Sequence, residues 1–127
     1  MATILVVEDD ASQRQIYSEE LAADGYQVIL AENGKDALAR IQDSPIDLVI
    51  MDIRMPQMDG METMGKVLGR RNDIPVILHT AYASYKDNFL SWAAEAYVVK
   101  RSDLTELKAK VRQALDRRAK STISKGR

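Results

Sequence analysis

Cysteine is absent from the chain, so it offers no disulfide framework, no thiolate metal site and no cysteine nucleophile, and a reducing compartment suits it. Long apolar runs are missing as well: no stretch approaches the roughly 18 residues of a membrane-spanning helix. Met1 leads into a strand-like segment without a basic n-region, which argues against a secretory leader and points to the cytoplasm. Histidine occurs once, at His79, where a phosphodonor or metal role is the tempting reading. A strand-embedded histidine with its hydrogen bonds satisfied fits that position better than a phosphodonor or a metal ligand. Glycine is absent from Glu8-Asp9-Asp10-Ala11-Ser12, the segment after the first apolar run, so a glycine-rich phosphate loop is excluded there.

What is present is a soluble composition, 46% hydrophobic and 29% charged over 127 residues, enough for one core and too little for two independent domains. The formal net charge of −1 hides an asymmetry: residues 1–99 carry 8 basic and 16 acidic side chains, residues 100–127 carry 10 and 3. Arg117, Arg118, Lys120, Lys125 and Arg127 could touch nucleic acid, but a solvated helix end with a frayed terminus accounts for them better.

Short apolar runs recur at Ile4 to Val7, Gln27 to Ala31, Leu48 to Met51, Val76 to Leu78 and Tyr97 to Val99. Helical periodicity lies between them: Ala37, Leu38 and Ile41; Met61, Met64 and Leu68; Leu104, Leu107, Val111, Ala114 and Leu115. The segments around Ile16, Tyr17 and Leu21 and around Phe89, Leu90 and Ala93 are less regular but compatible with helix. Gly25, Asn33-Gly34, Ser44-Pro45 and Ile74-Pro75 punctuate the elements. Five wholly apolar strands alternating with five amphipathic helices predict an α/β fold, a mostly parallel sheet covered on both faces. Periodicity fades after residue 118, so 1–118 reads as the domain and 119–127 as a basic, flexible tail.

In such a sheet, ligands sit beyond the carboxyl ends of the strands. Glu8, Asp9 and Asp10 follow the first run, Asp52 the third, Thr80 the fourth and Lys100 the fifth. Several carboxylates at one edge disfavour their own ionisation, and a hard divalent cation such as Mg²⁺ relieves this through oxygen ligands. Lys100 supplies a point charge for a transferred group and the Thr80 hydroxyl a hydrogen bond, while Asp52 is placed to attack phosphorus as a nucleophile. Each residue alone has a bland explanation, as a helix-terminal acid, a snorkelling lysine or a strand threonine. Their joint placement does not.

These residues carry a resemblance. Ile4-Leu5-Val6-Val7-Glu8-Asp9-Asp10, Leu48 to Gly60 with Met51-Asp52-Ile53-Arg54-Met55-Pro56 inside it, His79-Thr80-Ala81 and Ala96-Tyr97-Val98-Val99-Lys100 resemble the receiver domain of two-component response regulators, over about residues 1–118. The resemblance implies a flavodoxin-like fold of strand order 2-1-3-4-5 and phosphorylation of Asp52 by a histidine kinase or phosphotransfer protein. It implies Mg²⁺ (or Mn²⁺) held by Asp9, Asp52 and the Arg54 backbone carbonyl, with Glu8 acting through water. It also implies a switch in which the Thr80 hydroxyl turns to the phosphoryl group and Tyr97 changes burial. The surface of the fourth helix, fifth strand and fifth helix then changes its protein partners. Such a domain is not an enzyme beyond its own phosphorylation and dephosphorylation.

The sequence departs from the family where Arg101 follows Lys100 in place of proline, which puts a cis peptide there in doubt, since a non-proline cis bond costs roughly 3 kcal/mol. Arg54 and Tyr82, each two residues beyond a switch residue, are read as shields that tune the acyl phosphate's lifetime. Three alternatives stand beside the expected stand-alone receiver. A phosphohydrolase or nucleotide-binding protein of the same architecture lacks support, since no Walker-type lysine follows the first strand and Glu8 stands where a dehalogenase-like phosphatase needs aspartate. An interaction module that takes no phosphate would not need Asp9, Asp52, Thr80 and Lys100 together. A receiver piece of a larger DNA-binding regulator is the third.

Overall fold

The protein is described by a computed structural model that covers residues 1–52, 60–71, 73–81 and 94–125. The elements run β1 (Thr3–Val7), α1 (Ala11–Ala23), β2 (Gln27–Ala31), α2 (Gly34–Asp43), β3 (Leu48–Met51), α3 (Gly60–Arg70), β4 (Val76–Thr80), β5 (Ala96–Val99) and a final helix, α4 (Thr105–Lys125). The helix expected around Phe89, Leu90 and Ala93, together with Arg54, Tyr82 and Trp92, lies outside the described residues.

All strand pairs are parallel and the order is β2-β1-β3-β4-β5, the doubly wound, flavodoxin-like arrangement expected from the sequence. Because side chains alternate along a strand, each strand supplies both faces. Leu5, Val7, Val49, Met51, Val76 and Leu78 pack with Ala37, Leu38 and Ile41 of α2 and with Met64 and Val67 of α3. Ile4, Val6, Leu48, Ile50, Ile77 and Val98 pack with Tyr17 and Leu21 of α1 and with Leu107, Val111 and Ala114 of α4. Burying each large aliphatic side chain is worth roughly 1.5–3 kcal/mol, so these two layers carry the fold.

Helix ends follow local chemistry. Asn33 caps α2 by accepting the Asp36 N–H at 2.8 Å. α1 ends in a Schellman arrangement: Gly25, at φ +93°, donates to the Ala22 carbonyl and Tyr26 to that of Leu21. α1 buries only Tyr17 and Leu21, and Ile16 stays 51% exposed, which explains its weak periodicity. The backbone of 119–125 is helical and continues α4.

Candidate phosphoacceptor site

The register aligns Val7 with Ala31 on one side and Met51 on the other, and Thr80 with Val99, so the residues that follow emerge at one sheet edge. Backbone bonds extend this past the strands: Glu8 donates to the Ala31 carbonyl at 3.0 Å, Asp52 to Val7 at 3.3 Å and Lys100 to Thr80 at 2.7 Å. By alternation Glu8, Asp52 and Lys100 continue the α1/α4 face of Val6, Ile50 and Val98, and their side chains meet there.

Lys100 is the centre of the cluster. Its Nζ donates to Glu8 Oε1 at 2.8 Å, to Asp52 Oδ2 at 2.8 Å and to Gln13 Oε1 at 2.7 Å. The Glu8 side chain is 2% exposed, that of Asp52 10% and that of Lys100 16%. Burial, only partly opposed by the Lys100 hydrogen bond, pushes the Glu8 carboxyl above its ordinary pKa. Burial works against the Lys100 ammonium, but its bonds to Asp52 and Glu8 outweigh this and hold its pKa up.

The β1–α1 turn is fixed from two directions. Asp10 caps α1 by accepting the Gln13 N–H at 3.0 Å, and its own N–H goes to Glu8 Oε2 at 3.2 Å. The Arg14 guanidinium donates to the carbonyls of Glu8 (2.8 Å) and Asp9 (2.9 Å). Asp9 itself is exposed at the mouth. Thr80 is fully buried and shares the α2/α3 face with Leu78, while Tyr97 is half-buried against that same layer. His79 is a satisfied core histidine, as the sequence suggests. Its Nδ1 is hydrogen-bonded to the Tyr17 hydroxyl, the two rings meeting edge-on at 5.6 Å. Burial, reinforced by the Lys100 charge, lowers its pKa to about 4 and keeps it neutral. A cavity of about 230 Å³, lined by Gln13, Ile16, Tyr17, His79, Lys100 and Leu104 among others, opens beside Lys100.

Every described peptide bond is trans, Lys100–Arg101 included. Gln13, Arg14 and Tyr17 are contributors the sequence reading passed over. Asp10-x-x-Gln13 carries the pattern of a capping box, which would turn the Gln13 amide back onto the helix.

Two buried carboxylates with one ammonium between them, and the further acid Asp9 at the mouth, leave a surplus of negative charge over an all-oxygen donor set. That fits a hard divalent cation better than a soft one. Among the described residues no three carboxylate or imidazole side chains form a ready-made metal cluster, so carbonyl and water oxygens would have to complete the coordination.

The family model for the response regulator receiver domain matches residues 4–112. The chain belongs to the response regulator receiver domain family. As a receiver it is a signalling domain and not a conventional enzyme. It is similar to the response regulator TrrA of Thermotoga maritima, solved with Mg²⁺ and a beryllium fluoride, at TM-score 0.87 and 43% identity over 90% of this chain and 99% of that one. TrrA has also been solved in complex with the histidine kinase ThkA; that TrrA matches at TM-score 0.85 and 43% identity over 91% of this chain and 99% of that one. Among curated proteins, a probable transcriptional regulator, ycf27, of Pyropia yezoensis is 39% identical over 97% of this chain and 51% of its own length. The regulatory protein AtoC of Escherichia coli is 40% identical over 88% of this chain and 25% of its own length. The receiver thus spans about half, or a quarter, of these curated relatives. No helix among the described residues is long and apolar enough to cross a membrane.

Proposed function

We propose that this receiver accepts a phosphoryl group on Asp52 from a histidine kinase or a histidine phosphotransfer protein and signals through a change in its protein contacts. The observation that carries this reading is the Lys100 ammonium held 2.8 Å from Asp52 Oδ2 at the sheet's carboxyl edge. An Asp52 carboxylate oxygen attacks the donor's phosphorus in line, the new O–P bond forms as the P–N bond to the donor imidazole breaks, and the electron pair leaves on that nitrogen. Lys100 then exchanges its Asp52 contact for a phosphoryl oxygen and offsets the added charge. Asp9, Asp52, the Arg54 backbone carbonyl and, through water, Glu8 would hold Mg²⁺ or Mn²⁺, which supplies charge neutralisation to the phosphoryl oxygens when bound.

Thr80, at the end of β4, is the switch hydroxyl, and Tyr97, half-buried on β5, is the aromatic that changes burial with it. Their movement alters the surface of β5, α4 and the segment preceding β5, where a downstream protein docks. Arg54 and Tyr82 set the acyl phosphate's lifetime; faster dephosphorylation of Arg54→Ala and Tyr82→Ala would support this, and unchanged rates in both would reject it. The complex of TrrA with ThkA supports a histidine kinase as donor. The length of the curated relatives favours a second arrangement, in which this receiver is one part of a longer DNA-binding regulator and its target is tethered to it. The test is incubation with acetyl phosphate and Mg²⁺ followed by intact mass: a Mg²⁺-dependent gain of one phosphoryl group by the wild type and none by Asp52→Asn supports the reading. Failure of the wild type to gain it supports a receiver-like interaction module.

A further inference from the structure

The Lys100 ammonium has three N–H bonds and three acceptors, of which Glu8 and Asp52 lie at strand ends and Gln13 on α1. In phosphoryl transfer two of these acceptors would be claimed by other work: Asp52 is phosphorylated on a carboxylate oxygen, and Glu8 would turn toward water on a bound cation. The Gln13 amide is the acceptor that neither event consumes. Its oxygen must face Lys100, because an ammonium has no lone pair to accept from the amide nitrogen.

The helix start is wired to allow this. Gln13 stands at the third helical position after the Asp10 cap, where a capping-box glutamine accepts the cap residue's own N–H. Here that N–H goes to Glu8 Oε2 at 3.2 Å, and the Gln13 side chain is released to reach Lys100 at 2.7 Å. Glu8 therefore uses one oxygen on the helix cap and the other on Lys100. Cap, glutamine and lysine form one linked chain of hydrogen bonds. Gln13 is neutral, so it anchors the ammonium without drawing its charge away from the incoming phosphoryl group.

From this arrangement we infer that Gln13 is a positioning residue for Lys100, the tether that keeps the ammonium at the phosphoryl oxygens while Asp52 and Glu8 change partners. The assignment rests on the phosphoacceptor reading above. Gln13→Met keeps the side chain's length and helix propensity and removes the oxygen; Gln13→Glu keeps an acceptor oxygen. Two readouts apply: hydrogen exchange of the Lys100 ammonium by NMR without any donor, and the rate of phosphorylation by acetyl phosphate with Mg²⁺ against donor concentration.

Gln13→Met should exchange about fivefold faster at Lys100, as expected for one lost hydrogen bond. Its saturating phosphorylation rate should fall about tenfold, with the half-saturating donor concentration and Mg²⁺ affinity at wild-type values. Gln13→Glu should restore the slow exchange. A wild type that is phosphorylated while Gln13→Met matches it in both exchange and rate overturns the assignment alone. Slower phosphorylation of Gln13→Met with unchanged Lys100 exchange overturns it too, because the effect would then not pass through the lysine. A wild type that takes no phosphoryl group overturns the phosphoacceptor reading, and this assignment with it.

Discussion

Two ends of the same sheet each place one cation between two acids, and they do so in different surroundings. At the carboxyl edge Lys100 joins Glu8 to Asp52, with side-chain exposures of 16%, 2% and 10%. At the amino edge Arg118 pairs with Asp47 at 3.3 Å and Asp73 at 3.4 Å, with exposures of 24%, 42% and 49%. Arg118 also donates to the carbonyls of Asp47 (2.7 Å) and Ile46 (3.3 Å), while Asp47 accepts the Thr3 N–H at 2.8 Å. The planar guanidinium ties α4 to the loop before β3 and screens its acids in water; its role is to hold the helix down. The lysine is a point charge in a drier place, where its acids keep their strong interactions and stay available to a new partner. Burial, more than the count of ion pairs, separates the proposed phosphoacceptor edge from the structural one.

The contrast should be broken most severely at the proposed phosphoacceptor edge. Lys100→Met is expected to slow phosphorylation by acetyl phosphate between about a hundredfold and a thousandfold, the usual cost of removing a charge-stabilising donor. Arg118→Met should leave that rate within about twofold; equal losses in both variants would erase the distinction.

Next in size is a pH effect from the buried pair under the site. His79 faces the Tyr17 hydroxyl, Lys100, Asp52 and Glu106, and its pKa falls from 6.5 to about 4 on folding. Between those values the unfolded chain binds more protons, so His79's contribution is complete above 6.5 and is lost as pH falls toward 4, by roughly 3 kcal/mol. The raised Glu8 pKa acts in the opposite sense, lending stability as pH falls. Urea unfolding of the double variant Tyr17→Phe/His79→Leu, which removes both buried partners together, isolates the histidine: its stability should drop less than the wild type's across that window. Parallel pH profiles would contradict the assignment.

At the amino edge Arg118→Met should cost about 1 kcal/mol in the same assay, since its bonds to backbone carbonyls go with its ion pairs. The smallest change belongs to Arg117→Gln. Arg117 meets Glu95 at 2.8 Å with its side chain 64% exposed, and its loss should stay below about 0.5 kcal/mol. A larger loss there would make surface pairing more important than burial has it.

Much of this was legible in the sequence. Apolar runs bounded by Pro45, Pro75 and Gly25 marked strands that the fold confirms, because the central parallel strands β1, β3 and β4, buried on both faces, leave no polar alternation to misread. Glu8, Asp52 and Lys100 stood at strand ends, and the register brings them into contact. Gln13 and Tyr17 were not legible as site neighbours. Their contacts span 87 and 62 residues and depend on how α1 lies across the sheet, which local periodicity does not encode.

Asp52 is proposed here as the residue that takes the phosphoryl group. Its most direct test is to phosphorylate the wild-type chain with acetyl phosphate and Mg²⁺, reduce the acyl phosphate with borohydride to the alcohol, and locate the reduced side chain by peptide mass mapping. Reduction confined to position 52 is the predicted result; reduction at Asp9, Asp10 or another carboxylate, or phosphoryl uptake with no reducible acyl phosphate, would contradict it.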